Sequence, residues 1–297
     1  NPPTTVSLIV FVIAVTLVVV RTHVVTAVIW TPPKDEAGEP TLSSSSSNAA
    51  APVPVSSPTP LHEQAYSNET IDKPISPISQ LFAMDDQGRT PLFWLIASSK
   101  RKDALLEDLD EMARHGANLN HQDHDGYTPL SIAIICVRPS LCIRLVQWGA
   151  NPAASTHAGA SCLHLAVAQD DFRCVEWLLS FEVVCSNINE VDESDRSPLA
   201  LAAQGGSESA RIAAVLIDSG ADVLSQGDQA SMWRYSGRAP LHWAAQFNNI
   251  DVMKILLAHR ADVNASDAEG CTALHFAVQR GSEAAVRLLL ESHASVV

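Results

Sequence analysis

The sequence predicts an all-α repeat solenoid, and three observations carry that reading. A short phrase recurs six times: TPLFWL from Thr90, TPLSIA from Thr128, SCLHLA from Ser161, SPLALA from Ser197, APLHWA from Ala239 and TALHFA from Thr272. Its leucines, Leu92, Leu130, Leu163, Leu199, Leu241 and Leu274, stand 38, 33, 36, 42 and 33 residues apart. Apolar residues at i, i+3, i+4 spacing then mark a second helix, as in Val175-Leu178-Leu179, Ala213-Leu216-Ile217, Val252-Ile255-Leu256 and Val286-Leu289-Leu290. A single helix pair cannot bury its own apolar face, so stability requires about three or more stacked neighbours.

Each part of the phrase has a physical reason. The Thr or Ser hydroxyl caps the orphan amides of a helix start, and Pro in the first helical position has the right φ and no amide to lose. Leu and Ala face the neighbouring unit. The second helix tends to close on Gly-Ala-Asp/Asn, at Gly116, Gly149 and Gly220, where glycine takes up the left-handed conformation. Arg260 and His293 stand in that place in the last two units, at a cost of about 1 kcal/mol each. The spacing brackets the ~33-residue period of ankyrin repeats and excludes the ~20 to 29 of leucine-rich repeats. The phrase resembles the ankyrin pattern T-P-L-H-x-A, which implies helix-turn-helix units with β-hairpin loops. The expected array runs over 81–297, about six repeats, with its C-terminal cap missing.

Ahead of the array the composition changes twice. Thr4 to Val20 carries no charge and approaches the ~20 residues a helix needs to cross a bilayer. The first cation, Arg21, follows the apolar run, which argues against a secretory signal peptide and for a spanning helix with its C-terminal side cytosolic. The expected order is an extracellular stub at 1–3, a transmembrane helix at 4–20, a juxtamembrane segment at 21–33 and a disordered linker at 34–80. That linker is rich in Ser, Pro and Ala and acts as a tether. The chain begins at Asn1 and closes at the end of a repeat, so it reads as a piece of a longer protein.

Charge and motifs narrow the function. A formal net charge of −14 opposes binding to a phosphate backbone and suits a basic protein partner. The six cysteines show neither C-x-x-C pairs nor a dense framework and read as reduced, mostly buried thiols, with Cys162, Cys174 and Cys271 inside helical patterns. His164, His242 and His275 recur at one phase of the phrase, so they read as hydrogen-bonding scaffold rather than metal ligands or catalysts. No catalytic, metal or cofactor motif is present in the sequence, and the chain reads as a holder of protein partners, not an enzyme.

Two departures from the regular pattern are candidate contacts. The 42-residue interval contains an insertion, Leu224 to Gly237, whose Trp233 and Tyr235 either pack on the adjacent hairpin or touch a partner. Ile29, Trp30, Thr31 and Pro32 form an aromatic, proline-flanked segment that suits peptide recognition, or else an aromatic belt at the membrane surface.

The order of apolar span, VVTAVIWTPP at Val24 to Pro33, polar linker and ankyrin array resembles the intracellular part of Notch-family receptors. SMWRYSGRAPLHWAAQ at Ser231 to Gln246 is similar to the long-insert repeat of the nematode members. The resemblance implies a single-pass type I membrane protein cut by γ-secretase, with Val18, Val19 and Val20 as the cleavage zone. The released part would enter the nucleus. There Ile29, Trp30, Thr31 and Pro32 would dock on a CSL-type DNA-binding protein, and the ankyrin face would bind it together with a Mastermind-type coactivator. Thr31 stands where that family usually has a hydrophobic residue, and the basic cluster after the span is reduced to Arg21 and His23. The runner-up reading is a membrane-tethered ankyrin adaptor not acting in transcription.

Overall fold

The computed structural model describes residues 82–97, 105–227 and 237–295, all within one compact unit that spans Ser57–Val297. Among the described residues the secondary structure is helical, in six successive pairs. The pairs are α1 (Pro91–Ala97) with α2 (Leu105–Arg114), α3 (Pro129–Ile135) with α4 (Pro139–Gln147), and α5 (Cys162–Ala168) with α6 (Phe172–Leu178). A short extra helix α7 (Glu182–Ser186) follows the third pair. Then come α8 (Pro198–Ala203) with α9 (Ser209–Asp218), α10 (Pro240–Gln246) with α11 (Ile250–Ala258), and α12 (Ala273–Gln279) with α13 (Glu283–Glu291). The first helices of the pairs stack on one another in sequence order from α1 to α12, and this stack is the core.

The recurring phrase lays down each inner helix. Pro91, Pro129, Pro198 and Pro240 open α1, α3, α8 and α10. Thr128 Oγ1 accepts from Ser131 N at 3.2 Å, Ser161 Oγ from His164 N at 3.4 Å and Ser197 Oγ from Ala200 N at 3.2 Å, the expected caps. Ala239 has no hydroxyl to cap with; its backbone N donates to His242 Nδ1 at 3.0 Å instead. Outer helices use caps that the periodicity did not mark: Asp171, Asn249 and Ser282 accept from Cys174, Val252 and Ala285. Leu92, Leu130, Leu163, Leu199 and Leu241 are all buried, as are Val175, Leu178, Ala213, Leu216, Val252 and Leu256 of the outer stripes.

Several expectations need correction. The β-hairpin loops form as tight turns with isolated antiparallel bridges, Ser155 to Ser161 and Ser266 to Thr272, and no strand forms among the described residues. Cys271 precedes α12 rather than lying in a helix, because Thr272 starts that helix and the Cys271 amide is held by Asp267. Leu290, placed in a core stripe by its spacing, is exposed. The reason lies in the stacking: Ile96, Ile134, Val167, Ala203 and Ala245 are 0–6% exposed beneath the following pair, whereas Val278 at the same phase of α12 is 61% exposed. No pair follows α13 among the described residues. The 36-residue interval is explained by α7, whose Val184, with Ile188 just after it, is buried against the array. No helix among the described residues is long and apolar enough to cross a membrane; the proposed span at 4–20 lies outside them.

Positive φ falls where the turns need it. Gly116, Gly149 and Gly220 close their outer helices at φ 86°, 101° and 98°, and Arg260 and His293 adopt the same conformation at 64° and 68°. The turn between inner and outer helices also needs positive φ; Asp170, Gly205, Asn248 and Gly281 hold that position in later repeats, but Val137 holds it in the second at φ 51°. A β-branched residue is strained there, and Val137 gains little from burial, being 50% exposed. Val137→Asn is therefore expected to stabilise the protein by about 1 kcal/mol, read as a raised urea midpoint at unchanged slope. A lowered midpoint would mean that the valine makes a contact worth more than its strain.

Candidate protein-interaction face

The hairpin turns are organised by an aspartate that the sequence reading passed over. Asp85 Oδ1 accepts from Gln87 N and Arg89 N, both at 2.9 Å. Asp123 Oδ1 accepts from Asp125 N at 3.1 Å and Tyr127 N at 2.8 Å, Asp192 Oδ1 from Ser194 N at 2.9 Å and Arg196 N at 3.1 Å, and Asp267 Oδ1 from Glu269 N at 3.0 Å and Cys271 N at 2.9 Å. Thr156 fills that place in the third repeat, with Oγ1 accepting from Ala160 N at 3.2 Å. The signal was legible as Asp/Thr-x-x-Gly/Asp-x-Thr/Ser just before the inner helix of every repeat but the fifth, which has Arg234 and Ala239 at the two ends of the pattern. Successive turns also bond to one another: His124 N to Gln87 O at 2.9 Å, His157 N to Asp125 O at 3.0 Å and Glu193 N to Ala158 O at 2.8 Å. The tips of the first four repeats thus form a continuous row.

Arginine recurs one residue before the cap, at Arg89, Arg196 and Arg238. Arg89 Nε donates to Asp85 Oδ2 at 2.9 Å while its guanidinium lies 5.1 Å from the centre of the Trp94 ring, whose Nε1 donates to the same oxygen at 3.0 Å. Arg196 is 1% exposed and its Nη2 pairs with Asp192 Oδ2. Arg238 lies over Phe276 at 4.3 Å and Trp243 at 5.3 Å and donates to Asp267 Oδ2 at 3.2 Å and Gln246 Oε1 at 2.9 Å. These pairs fix the turns, and their guanidinium groups are already engaged.

The histidines act as the scaffold expected of them. His164 Nδ1 accepts from Ser161 N at 3.2 Å, and its Nε2 lies 3.0 Å from Arg196 O in the next repeat. His242 Nδ1 accepts from Ala239 N at 3.0 Å, with Nε2 2.9 Å from Ala265 O. His275 Nδ1 accepts from Thr272 N at 3.0 Å. This geometry calls for a neutral ring protonated at Nε2. Desolvation lowers the pKa of both His164 and His242 below the ordinary 6.5. Both rings then take up protons more readily in the unfolded chain. Their contribution is complete above pH 6.5 and is lost as pH falls towards the depressed folded values. Stability measured by urea titration is expected to drop by up to about 1.4 kcal/mol per pH unit for each histidine below that point, and less in a His242→Gln variant.

No thiol among the described residues is bonded in a disulfide. Cys142, Cys162 and Cys174 are buried, the other three partly so. Burial pushes the Cys162 and Cys174 thiols up to about 12, so they stay protonated and inert at neutral pH.

What remains accessible along the inner helices defines the face. One position per repeat, three residues after the Trp94/Ile132/Leu165 row, is partly exposed throughout the first five repeats and exposed in the sixth. It is occupied by Ala97, Ile135 and Ala168 in the first half and by Gln204, Gln246 and Gln279 in the second. Exposed Asp86, Asp125, Glu193 and Glu269 line the turn tips above it. The face is thus apolar in its first half, amide-rich in its second and acidic at its rim, a composition for protein contact. No group of three or more His, Cys, Asp or Glu among the described residues could hold a metal ion. Ile29, Trp30, Thr31, Pro32, Trp233, Tyr235 and the Val18, Val19, Val20 zone all lie outside the described residues.

Known proteins match the chain in two ways. The family described as ankyrin repeats (3 copies) matches residues 139–227 and 224–297. The chain is 30% identical to protein glp-1 of Caenorhabditis elegans over 241 residues, 80% of this chain and 19% of that protein. It is 30% identical to protein lin-12 of the same organism over 209 residues, 69% of this chain and 15% of that one. These two are Notch homologues, and the match fits the Notch-type resemblance of the sequence. The mouse B-cell lymphoma 3 protein homolog is 30% identical over 219 residues, 73% of this chain and 47% of its own length. The chain thus spans about a fifth or less of the two nematode relatives.

Proposed function

We propose, from the premise that this chain belongs to the ankyrin-repeat family, that it is the membrane-crossing and intracellular part of a Notch-type signalling receptor. The observation that carries this is the likeness to glp-1 and lin-12, which reaches across 80% of the chain in the first case. In this reading γ-secretase cuts near Val18, Val19 and Val20, and the released part passes from the cell membrane to the nucleus. Trp30, with Ile29, Thr31 and Pro32, docks on a CSL-type DNA-binding protein, and the linker then presents the ankyrin face at raised effective concentration. The acid-rimmed face binds that protein and a Mastermind-type coactivator to switch on transcription in cell-fate decisions. The chain catalyses nothing and does not touch nucleic acid itself.

The test is a calorimetric titration of a Val24–Pro40 peptide, with and without Trp30→Ala, into a CSL-type protein. Loss of Trp30 should weaken binding by ~2 to 4 kcal/mol, as removal of a buried aromatic anchor does. The likeness to the B-cell lymphoma 3 protein homolog favours a second reading, an ankyrin adaptor with no use for Trp30. In that case neither peptide binds.

A further inference from the structure

The arginines that precede the caps are held in two different ways. In the first and fourth repeats the guanidinium pairs inside its own turn, Arg89 with Asp85 and Arg196 with Asp192, each four residues earlier. The fifth repeat has Arg234 four residues before Arg238, so no carboxylate stands in that place. Arg238 Nε instead donates at 3.2 Å to Oδ2 of Asp267, 29 residues further on in the turn of the sixth repeat. Asp267 meanwhile builds its own turn through Oδ1, which accepts from Glu269 N and Cys271 N. One carboxylate thus serves two repeats, one oxygen to each. The Arg238 and Asp267 side chains are only 7% and 2% exposed.

From this division we propose that Asp267 is a latch that makes the fifth and sixth repeats one cooperative unit, opening and closing together. Other bonds follow the same path across this junction. His242 Nε2 lies 2.9 Å from Ala265 O, Arg280 Nε donates to Gln246 O, and Ser282 Oγ donates to Asn248 Oδ1. Phe276 of the sixth repeat also lies under the Arg238 guanidinium and edge-on to the His242 ring at 5.9 Å. The start of α10 therefore takes part of its polar support from residues that belong to α12 and its turn. In the first repeat, by contrast, Asp85 supports only Gln87, Arg89 and Trp94 of its own repeat among the bonds resolved.

Amide hydrogen exchange on the whole chain, read peptide by peptide, tests the latch. Asp267→Asn keeps an acceptor for the turn but removes the charge that faces Arg238, and should speed exchange ~10-fold in 239–247 as well as in 267–272. Asp85→Asn should speed exchange only in the first repeat. If Asp267→Asn changes 267–272 and leaves 239–247 as in the parent, there is no latch. Should Asp267→Asn unfold both repeats, Arg238→Gln decides the matter, since it keeps a hydrogen-bond donor facing Asp267 and leaves every residue of that turn unchanged. Faster exchange in 267–272 of that variant supports the shared unit, and faster exchange confined to 239–247 overturns it.

Discussion

Replacing Asp192 by alanine is expected to destabilise the fourth repeat by ~3 to 5 kcal/mol, among the largest single-residue effects on the array. Two losses combine. Ser194 N and Arg196 N lose their common acceptor, and the Arg196 guanidinium is left buried without its carboxylate. Stranding a buried charge costs far more than the pair itself contributes, because desolvation of the ion is no longer offset. The damage should spread backwards, since Arg196 O accepts from His164 Nε2 of the third repeat. A stacked array need not unfold all at once, so the measurement is circular dichroism against urea together with exchange in 161–168 and 197–203. The double change Asp192→Ala with Arg196→Met should recover most of the loss by removing the stranded charge and keeping apolar volume. A single-variant loss under ~1 kcal/mol would mean that water reaches Arg196 in solution and that the pair is not buried as described.

The array was legible because a repeat states its physics six times. Leu, Ala and the capping Ser or Thr recur at a fixed phase, so a chance match at one site is corrected by the others, and the three histidines read correctly as scaffold for the same reason. What escaped notice was whatever differs between repeats or acts across them. Asp85, Asp123, Asp192 and Asp267 share one spacing to the helix cap, but only the folded turn shows that one oxygen of each collects two amides. The pairing of Arg238 with Asp267 crosses 29 residues and exists only once the repeats are stacked. Leu290 and Val278 fit the helical pattern as well as any core residue, yet their burial depends on a neighbour, not on their own helix. The accessible inner-helix row, changing from Ala97, Ile135 and Ala168 to Gln204, Gln246 and Gln279, has an obvious composition once the register is known. Before that it is six unremarkable residues.

The turn tips provide the second large effect, and with it a test of the stacking itself. Gly126→Ala is expected to destabilise the array by ~2 to 4 kcal/mol. Gly126 has φ 84°, so any side chain carries the left-handed penalty of about 1 kcal/mol. Its added Cβ would also stand 2.4 Å from His157 N and 2.9 Å from the Thr156 carbonyl carbon, backbone atoms of the next repeat that cannot turn aside. The tip of the third repeat would have to move away, breaking the bond from His157 N to Asp125 O that joins it to the second. Gly270→Ala separates the two contributions: the residue has φ 77° in the equivalent turn, but none of the described residues lies within 4 Å of the new carbon. Its cost should be the conformational part alone, about 1 kcal/mol. Paired urea titrations of the two variants give the difference, which is the resistance of one repeat to being pushed off the next. Equal losses would mean that the tips yield freely and that the array is held by its inner-helix stack alone.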